Sequence, residues 1–329
     1  MRIVARMGQY PPDHNAGGEI ATHAMLRALV ARGHDVSVWL ARYGRRPSPY
    51  VLDGVRVVPF EASEDFVAAT RGADALLAQY ELVRPTRALA HGWGKPLIVP
   101  VHTSRHPTLE TLLAGQAALA VYNSEWVARE AERRLTTVPG TTRPDRAIVV
   151  RPPVVAADYA TTPGDMVTLV NRAYEKGGMV LRELAARMPD TRFLAVAGAY
   201  GEQVPCTDLP NVERIGQVPS VEMRERVYSR SRVVIMPSTY ESWGRVGVEA
   251  MASGIPVVAS PTPGLREALG GAGTFVAVDD LDGWESALRK LAGERAWRAA
   301  SRRALARSAE LDPADDLAAF VAAVESLHS

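Results

Sequence analysis

The chain has one cysteine, three lysines and no long apolar run among its 329 residues, and each scarcity closes off a class of protein. Cys206 alone can form no intramolecular disulfide and supplies no framework of paired cysteines for a metal, so a reducing compartment, the cytoplasm, is expected. No stretch approaches the ~18 apolar residues that a bilayer-spanning helix requires. The opening MRIVARM has arginines but no apolar core behind them, so it does not read as a signal peptide. Charge of one sign is lacking too: 38 Lys plus Arg against 37 Asp plus Glu leave +1, too little field to hold a nucleic-acid backbone. Lys95, Lys176 and Lys290 are the only lysines, a bias expected of GC-rich bacterial coding.

What is present is an ordinary globular balance, 47% hydrophobic and 23% charged, over a length that suits two domains. Short apolar runs alternate with amphipathic stretches, the mark of parallel strands joined by crossover helices, so the class is α/β. Strands are expected at Ile3 to Met7, Asp35 to Leu40, Val55 to Phe60, Ala75 to Ala78, Leu97 to Val101, Ala118 to Tyr122 and Ala147 to Val150. A proline-rich break (RPPVVAADYATTPG, Arg151 to Gly164) marks a domain boundary, since it suits neither helix nor central strand. The alternation then restarts, with strands at Met166 to Val170, Arg192 to Ala197, Val212 to Ile215, Arg232 to Met236 and Ile255 to Ser260. Helices are expected at 19–32, 177–187, 221–230, 246–253 and, broken at Pro313, 281–328. The reading is therefore three segments: 1–151, 152–312 and a final helix, 313–329.

Open α/β sheets bind ligands at the carboxyl ends of their strands, so chemistry-bearing residues are sought there. After the strand ending at Met236 runs PSTYESWGRVGVEAMASGIPVVAS, with Glu241 in the loop, Gly244 before a helix and Glu249 eight positions after the first glutamate. Backbone N–H groups at Gly244, Arg245 and Val246 would form the positive end of that helix, suited to a phosphate. Glu249 could accept from ribose hydroxyls and Glu241 from a second polyol; a solvated loop acid and a surface helix residue are the plainer alternatives. After the strand ending at Val170, NRAYEKGG brings Arg172 and Lys176 off one strand end, two cations suited to a diphosphate. Gly17 and Gly18 close the first loop, where backbone without a Cβ lets a phosphate or sugar approach. His102 follows a buried-type strand, and His106 stands four residues on.

Other chemistries lack an anchor. The His102/His106 interval leads into Pro107, a poor helix for a metal pair, and no G-x-S-x-G elbow, P-loop or G-x-G-x-x-G fingerprint occurs. A basic cluster at Arg42, Arg45 and Arg46 reads as a solvated turn or an acceptor-side patch.

The string around the two glutamates resembles the signature of retaining glycosyltransferases of family 4. Glu249, Ala250, Met251, Ala252, Gly254, Pro256, Val257, Val258 and Ala259 match as they stand, while Trp243 replaces a usual Phe and Ser242 a common Pro. The resemblance implies the GT-B fold, two Rossmann-like doubly wound domains facing each other across a cleft. It implies that the first domain binds the acceptor and the second the nucleotide sugar, with closure hinged near Pro152 and Pro153 and the last helix returning to the first domain. By resemblance, Glu241 lies against the donor sugar, Glu249 holds the ribose, and Arg172 and Lys176 clamp the diphosphate. Gly17 and Gly18 meet the donor phosphate and His102 stands near the transferred sugar. The implied activity is retaining, hexosyltransferase-type transfer to a hydroxyl of a small-molecule, glycan or lipid-linked acceptor, without metal or other cofactor. A nucleotide-sugar epimerase of the same fold, a nucleotide-binding pseudo-enzyme and a dinucleotide oxidoreductase stand as alternatives.

Overall fold

The computed structural model describes residues 1–42, 46–62 and 65–328; Arg45 of the basic cluster lies outside them. The chain divides into two compact units. Unit 1 is Met1–Pro153 together with the segment from Pro313 on, and unit 2 is Val154–Asp312.

Unit 1 is built on an eight-stranded sheet: β1 (Arg2–Met7), β2 (Asp35–Leu40), β3 (Tyr50–Leu52), β4 (Val55–Val58), β5 (Ala75–Ala78), β6 (Leu97–Val101), β7 (Leu119–Tyr122) and β8 (Arg146–Val149). Their order is β3-β4-β2-β1-β5-β6-β7-β8. All neighbours are parallel except β3 and β4. Such a sheet is covered on both faces, which is why β5 (ALLA) and β6 (LIVPV) are buried at every position rather than alternating. Alternate residues of β1 still go to opposite sides: Ile3, Ala5 and Met7 join one core with Met25, Leu26 and Leu29, while Val4 joins another with Trp39, Leu76 and Val99. The antiparallel edge β3 is not among the expected strands, being three residues long. Its signal is Asp53-Gly54, both at positive φ, a two-residue hairpin turn.

The first helix runs Gly17–Ala31 and not from Glu19, so the two glycines form its first turn instead of the end of a loop. The last helix, Ala314–Glu325, belongs to unit 1: Phe320, Val321 and Val324 are buried in the core with Leu26 and Leu29. Asp316 fixes its start by accepting from Arg151 Nε at 2.6 Å and from the Arg151 backbone N–H at 3.1 Å.

Unit 2 has six parallel strands: β9 (Met166–Val170), β10 (Phe193–Val196), β11 (Val212–Ile215), β12 (Ser231–Met236), β13 (Val257–Ala259) and β14 (Thr274–Phe275), in the order β11-β10-β9-β12-β13-β14. Strand order reverses between β9 and β12, so the loops leaving these adjacent strands diverge at a topological switch point, where open sheets bind ligands. The strands are joined low in the sheet by buried Thr168 and Ser231, whose hydroxyls lie 2.7 Å apart. The helix expected over 221–230 breaks into a 3-10 turn (Ser220–Glu222), one α turn (Met223–Arg226) and a second 3-10 turn (Tyr228–Arg230). The break is at Val227, φ −122° and ψ −63°, and it seats Tyr228 with no exposure. The C-terminal stretch is interrupted at Gly293 as well as at Pro313, giving Leu281–Ala292 and Glu294–Glu310. Trp284, fully buried, donates its indole N–H to Ala277 O at 2.8 Å.

Phe320→Ala should remove about 3–5 kcal/mol from unit 1, the cost of truncating a fully buried phenyl ring. A urea titration should show the loss as a lower midpoint; an unchanged midpoint would mean that the last helix does not contribute to this core.

Candidate active site

The two loops at the switch point of unit 2 are pressed together, and glycines make this possible. Gly177 sits at φ +87°, and a Cβ there would stand 2.6 Å from the Pro237 carbonyl oxygen; one on Gly178 would overlap the Arg172 carbonyl. Thr239 N–H donates to Glu175 O at 3.0 Å, which stitches the loop after β12 to the loop after β9. Lys176 Nζ thereby reaches Glu241 Oε1 at 2.8 Å, with side-chain exposures of only 14% and 17%. Ser238 Oγ donates to the same oxygen at 3.0 Å. Burial opposes charge on Lys176, but the Glu241 carboxylate and the Tyr200 hydroxyl outweigh it and raise its pKa above the usual lysine range. Arg172 leaves the same strand end, and its Nε and Nη1 are buried without a hydrogen-bond partner. Trp243 Nε1 and Arg245 Nη1 are in the same condition, so the buried unpartnered side-chain atoms among the described residues of unit 2 are all N–H donors on these two loops and the helix start.

Gly244 caps the helix Arg245–Met251 at φ +105°, where a side chain would be strained and would press on Leu265. Val246, in the first turn, packs against the core. Glu249 is no surface residue: it is 4% exposed, and each carboxylate oxygen accepts a hydrogen bond. Tyr228 Oη donates to Oε2 at 2.6 Å, and Arg245 Nε to Oε1. The Arg245 side chain turns inward, a feature that reading its backbone N–H alone does not include, and its Nη2 donates to Tyr159 Oη at 2.6 Å. Tyr159 in turn lies 2.8 Å from Ser220 Oγ. Burial opposes charge on Arg245, yet Glu249 and Tyr159 raise its pKa, so the guanidinium stays charged. Trp243, 3% exposed, is part of the hydrophobic core.

In unit 1, Gly18 and His102 are brought together at the carboxyl ends of β1 and β6. A Cβ on Gly18 would overlap the Tyr80 hydroxyl and stand 3.2 Å from His102 Cδ2, whereas Gly17 has open space around it. His102 Nε2 lies 2.9 Å from Thr22 Oγ1 and 3.1 Å from Gln79 Oε1, and Thr22 donates to Gln79 at 2.9 Å. Asn123 Nδ2 holds the His102 carbonyl at 3.0 Å. Burial lowers the His102 pKa to about 4, so the ring is neutral at physiological pH. His106 is exposed and lies 3.4 Å from Glu110. Arg42 pairs with Glu81 and Arg46 with Asp13. Among the described residues no three of His, Cys, Asp and Glu converge as metal ligands, and no helix is long and apolar enough to cross a membrane.

The sequence reading missed Thr22, Gln79, Tyr159 and Tyr228. None stands in a recognisable spacing, and each acts on a residue from 21 to 86 positions away.

Two parallel-sheet Rossmann-like units of this kind are the GT-B architecture of glycosyltransferases. Solved GT-B structures follow the whole chain: sucrose-phosphate synthase of Thermosynechococcus elongatus at TM-score 0.78 and 18% identity, over 100% of this chain and 98% of that one. HepE of Anabaena, solved with UDP-glucose, aligns at TM-score 0.77 and 17% identity over 98% and 99%. Within that class, residues 167–294 match the family model for glycosyl transferases group 1, and this part of unit 2 is a domain of that family. A glycogen synthase of Mycobacterium tuberculosis is 27% identical over 93% of this chain and 89% of its own length. A D-inositol 3-phosphate glycosyltransferase of Kineococcus radiotolerans is 28% identical over 91% and 88%.

An unfolded histidine titrates near 6.5, so on acidification the unfolded chain takes up this proton before folded His102 does. His102 therefore contributes stability that is present above about pH 6.5 and is lost as the pH falls toward 4. NMR of labelled histidines, with His102→Asn to assign the signal, should find its midpoint near 4; a midpoint at 6.5 or above would refute the neutral assignment.

Proposed function

We propose that this chain is a retaining, metal-independent hexosyltransferase of the cytoplasm that moves a sugar from a nucleoside-diphosphate sugar to a hydroxyl of a small-molecule or glycan acceptor. The observation that carries the reading is the placement of Lys176, Arg172 and Glu241 at the ends of β9 and β12, the two strands of the switch point. Two cations there match a diphosphate, and a carboxylate held by one of them matches a sugar hydroxyl. The bound UDP-glucose of the similar HepE structure supports a nucleotide sugar as donor.

The reaction breaks the bond between the anomeric carbon and the diphosphate oxygen and forms one from that carbon to the acceptor oxygen. Negative charge grows on the leaving diphosphate, and Lys176 and Arg172 stabilise it more than they stabilise the ground state, which is what accelerates the step. Attack from the face that the diphosphate leaves retains configuration, and the departing oxygen takes the acceptor proton. Glu241 orients the donor sugar and Glu249 the ribose, while the helix starting at Arg245 offers N–H groups to phosphate. Unit 1 takes the acceptor, its turn at Gly17 and Gly18 meets the donor phosphate, and neutral His102 stands by the transferred sugar.

The test is a melting series with UDP, GDP, dTDP, ADP and NAD in the absence of metal. A nucleoside diphosphate at 100 times its Kd adds about 2.7 kcal/mol, several degrees in a chain of this size. Stabilisation by NAD alone would overturn the reading, and donor turnover without an acceptor would favour an epimerase. Arg172→Ala should weaken nucleoside diphosphate binding by roughly 1.5–3 kcal/mol, the scale of a charged hydrogen bond. Glu241→Gln should abolish transfer with nucleotide affinity nearly intact, and a fully active Glu241→Gln variant would remove that residue from the reaction.

A further inference from the structure

Glu249 is almost wholly enclosed, and a carboxylate in such a place keeps its charge only if it is paired. The groups packed on it come from three elements. Arg245 lies one turn earlier on its own helix, Tyr228 comes from the 3-10 turn after Val227, and Tyr159 ends the helix Ala156–Tyr159. Side-chain exposure is 11% for Arg245 and 6% for Glu249. Tyr228 is fully buried and Tyr159 5% exposed. One lone pair on each carboxylate oxygen is used, Oε1 by Arg245 and Oε2 by Tyr228, and an ionised carboxylate has a second on each. Arg245 is itself anchored at its far end on Tyr159, so the guanidinium cannot swing away from the carboxylate without breaking that bond.

Resting on the nucleotide-sugar reading, we propose that Arg245 and Tyr228 are positioning residues for ribose recognition. They hold Glu249 ionised and fixed so that its remaining lone pairs accept from the 2′- and 3′-hydroxyls of the donor nucleotide. Arg245 supplies the charge, Tyr228 the orientation, and Tyr159 the anchor for Arg245. Loss of the cation leaves a buried carboxylate without its counter-ion, and burial penalises the charged form, so ribose recognition weakens on acidification.

The experiment is calorimetric binding of UDP and 2′,3′-dideoxyUDP, with the GDP and ADP pairs alongside, from about pH 5.5 to 8, a span in which a paired carboxylate stays ionised. The wild-type protein should prefer the ribose form by about tenfold, the scale of a hydrogen bond to a charged group, at every pH. Arg245→Met should lose the preference at the acid end and regain it as pH rises, Arg245→Lys should restore the flat profile, and Tyr228→Phe, which keeps the ring packing, should reduce the preference at all pH values. A wild-type protein that binds UDP, GDP or ADP without regard to the ribose hydroxyls would overturn the inference and leave the donor reading standing. So would Arg245→Met and Tyr228→Phe variants that keep both the preference and its flat profile. Binding of none of the nucleoside diphosphates would bring down the donor reading and this inference with it.

Discussion

A carboxylate out of water needs a cation, and the carboxyl edge of unit 2 meets that requirement twice within nine residues. Glu241 is neutralised by Lys176 from the neighbouring loop, Glu249 by Arg245 from its own helix. The first pair forms only if the loops after β9 and β12 touch, and they touch because Gly177 has no side chain against Pro237 and Gly178 none where its own loop folds back on Arg172. The adjacency of β9 and β12 in the sheet supplies the rest: residues 65 apart in sequence leave the sheet side by side. The site is thus a consequence of strand order, two glycines and the cost of burying charge, which together leave little freedom in where the four side chains go.

Unit 1 solves a related problem with neutral groups. Its buried imidazole has a threonine hydroxyl and a glutamine carbonyl at Nε2, and burial there favours the ring without its extra proton. Desolvation opposes charge in both units: Lys176 and Arg245 stay cationic because each faces an anion, whereas His102, set against a hydroxyl and an amide carbonyl, is left a neutral hydrogen-bonding ring.

The fold was legible in the sequence wherever a strand is covered on both faces. Leu97–Val101 is a continuous apolar run for that reason and Met166–Val170 is broken only by Thr168, whose hydroxyl is bonded inside the sheet, and the expected bounds match both. The short edges, Tyr50–Leu52 and Thr274–Phe275, have too few residues to show a pattern. The break in 220–230 was not legible because its cause is distant: Tyr228 leaves helical register to bury its hydroxyl on Glu249, 21 residues later. The same holds for the sites. Glu241, Gly244 and Glu249 stand out because one loop and one helix carry them within a window of sequence, while Thr22, Gln79 and Tyr159 are ordinary residues until folding places them.

Arg245 and Trp243 show how a motif can keep its chemistry while its supports change. Trp243 stands where the family string usually has Phe, and it is packed in the core with a buried indole N–H, so the exchange alters what lies beneath the loop and leaves Glu241 on Lys176. Arg245 spends its side chain inside the protein, spanning from Glu249 to Tyr159, so the helix start is braced from below by a charged strut as well as by apolar packing. A strut of this kind fixes a carboxylate in direction as well as in charge, because the guanidinium is planar and donates along set axes. Rigidity under the helix then bears directly on what its upper surface can recognise: a carboxylate that cannot turn distinguishes a pair of adjacent hydroxyls from a single one, and one that can turn does not.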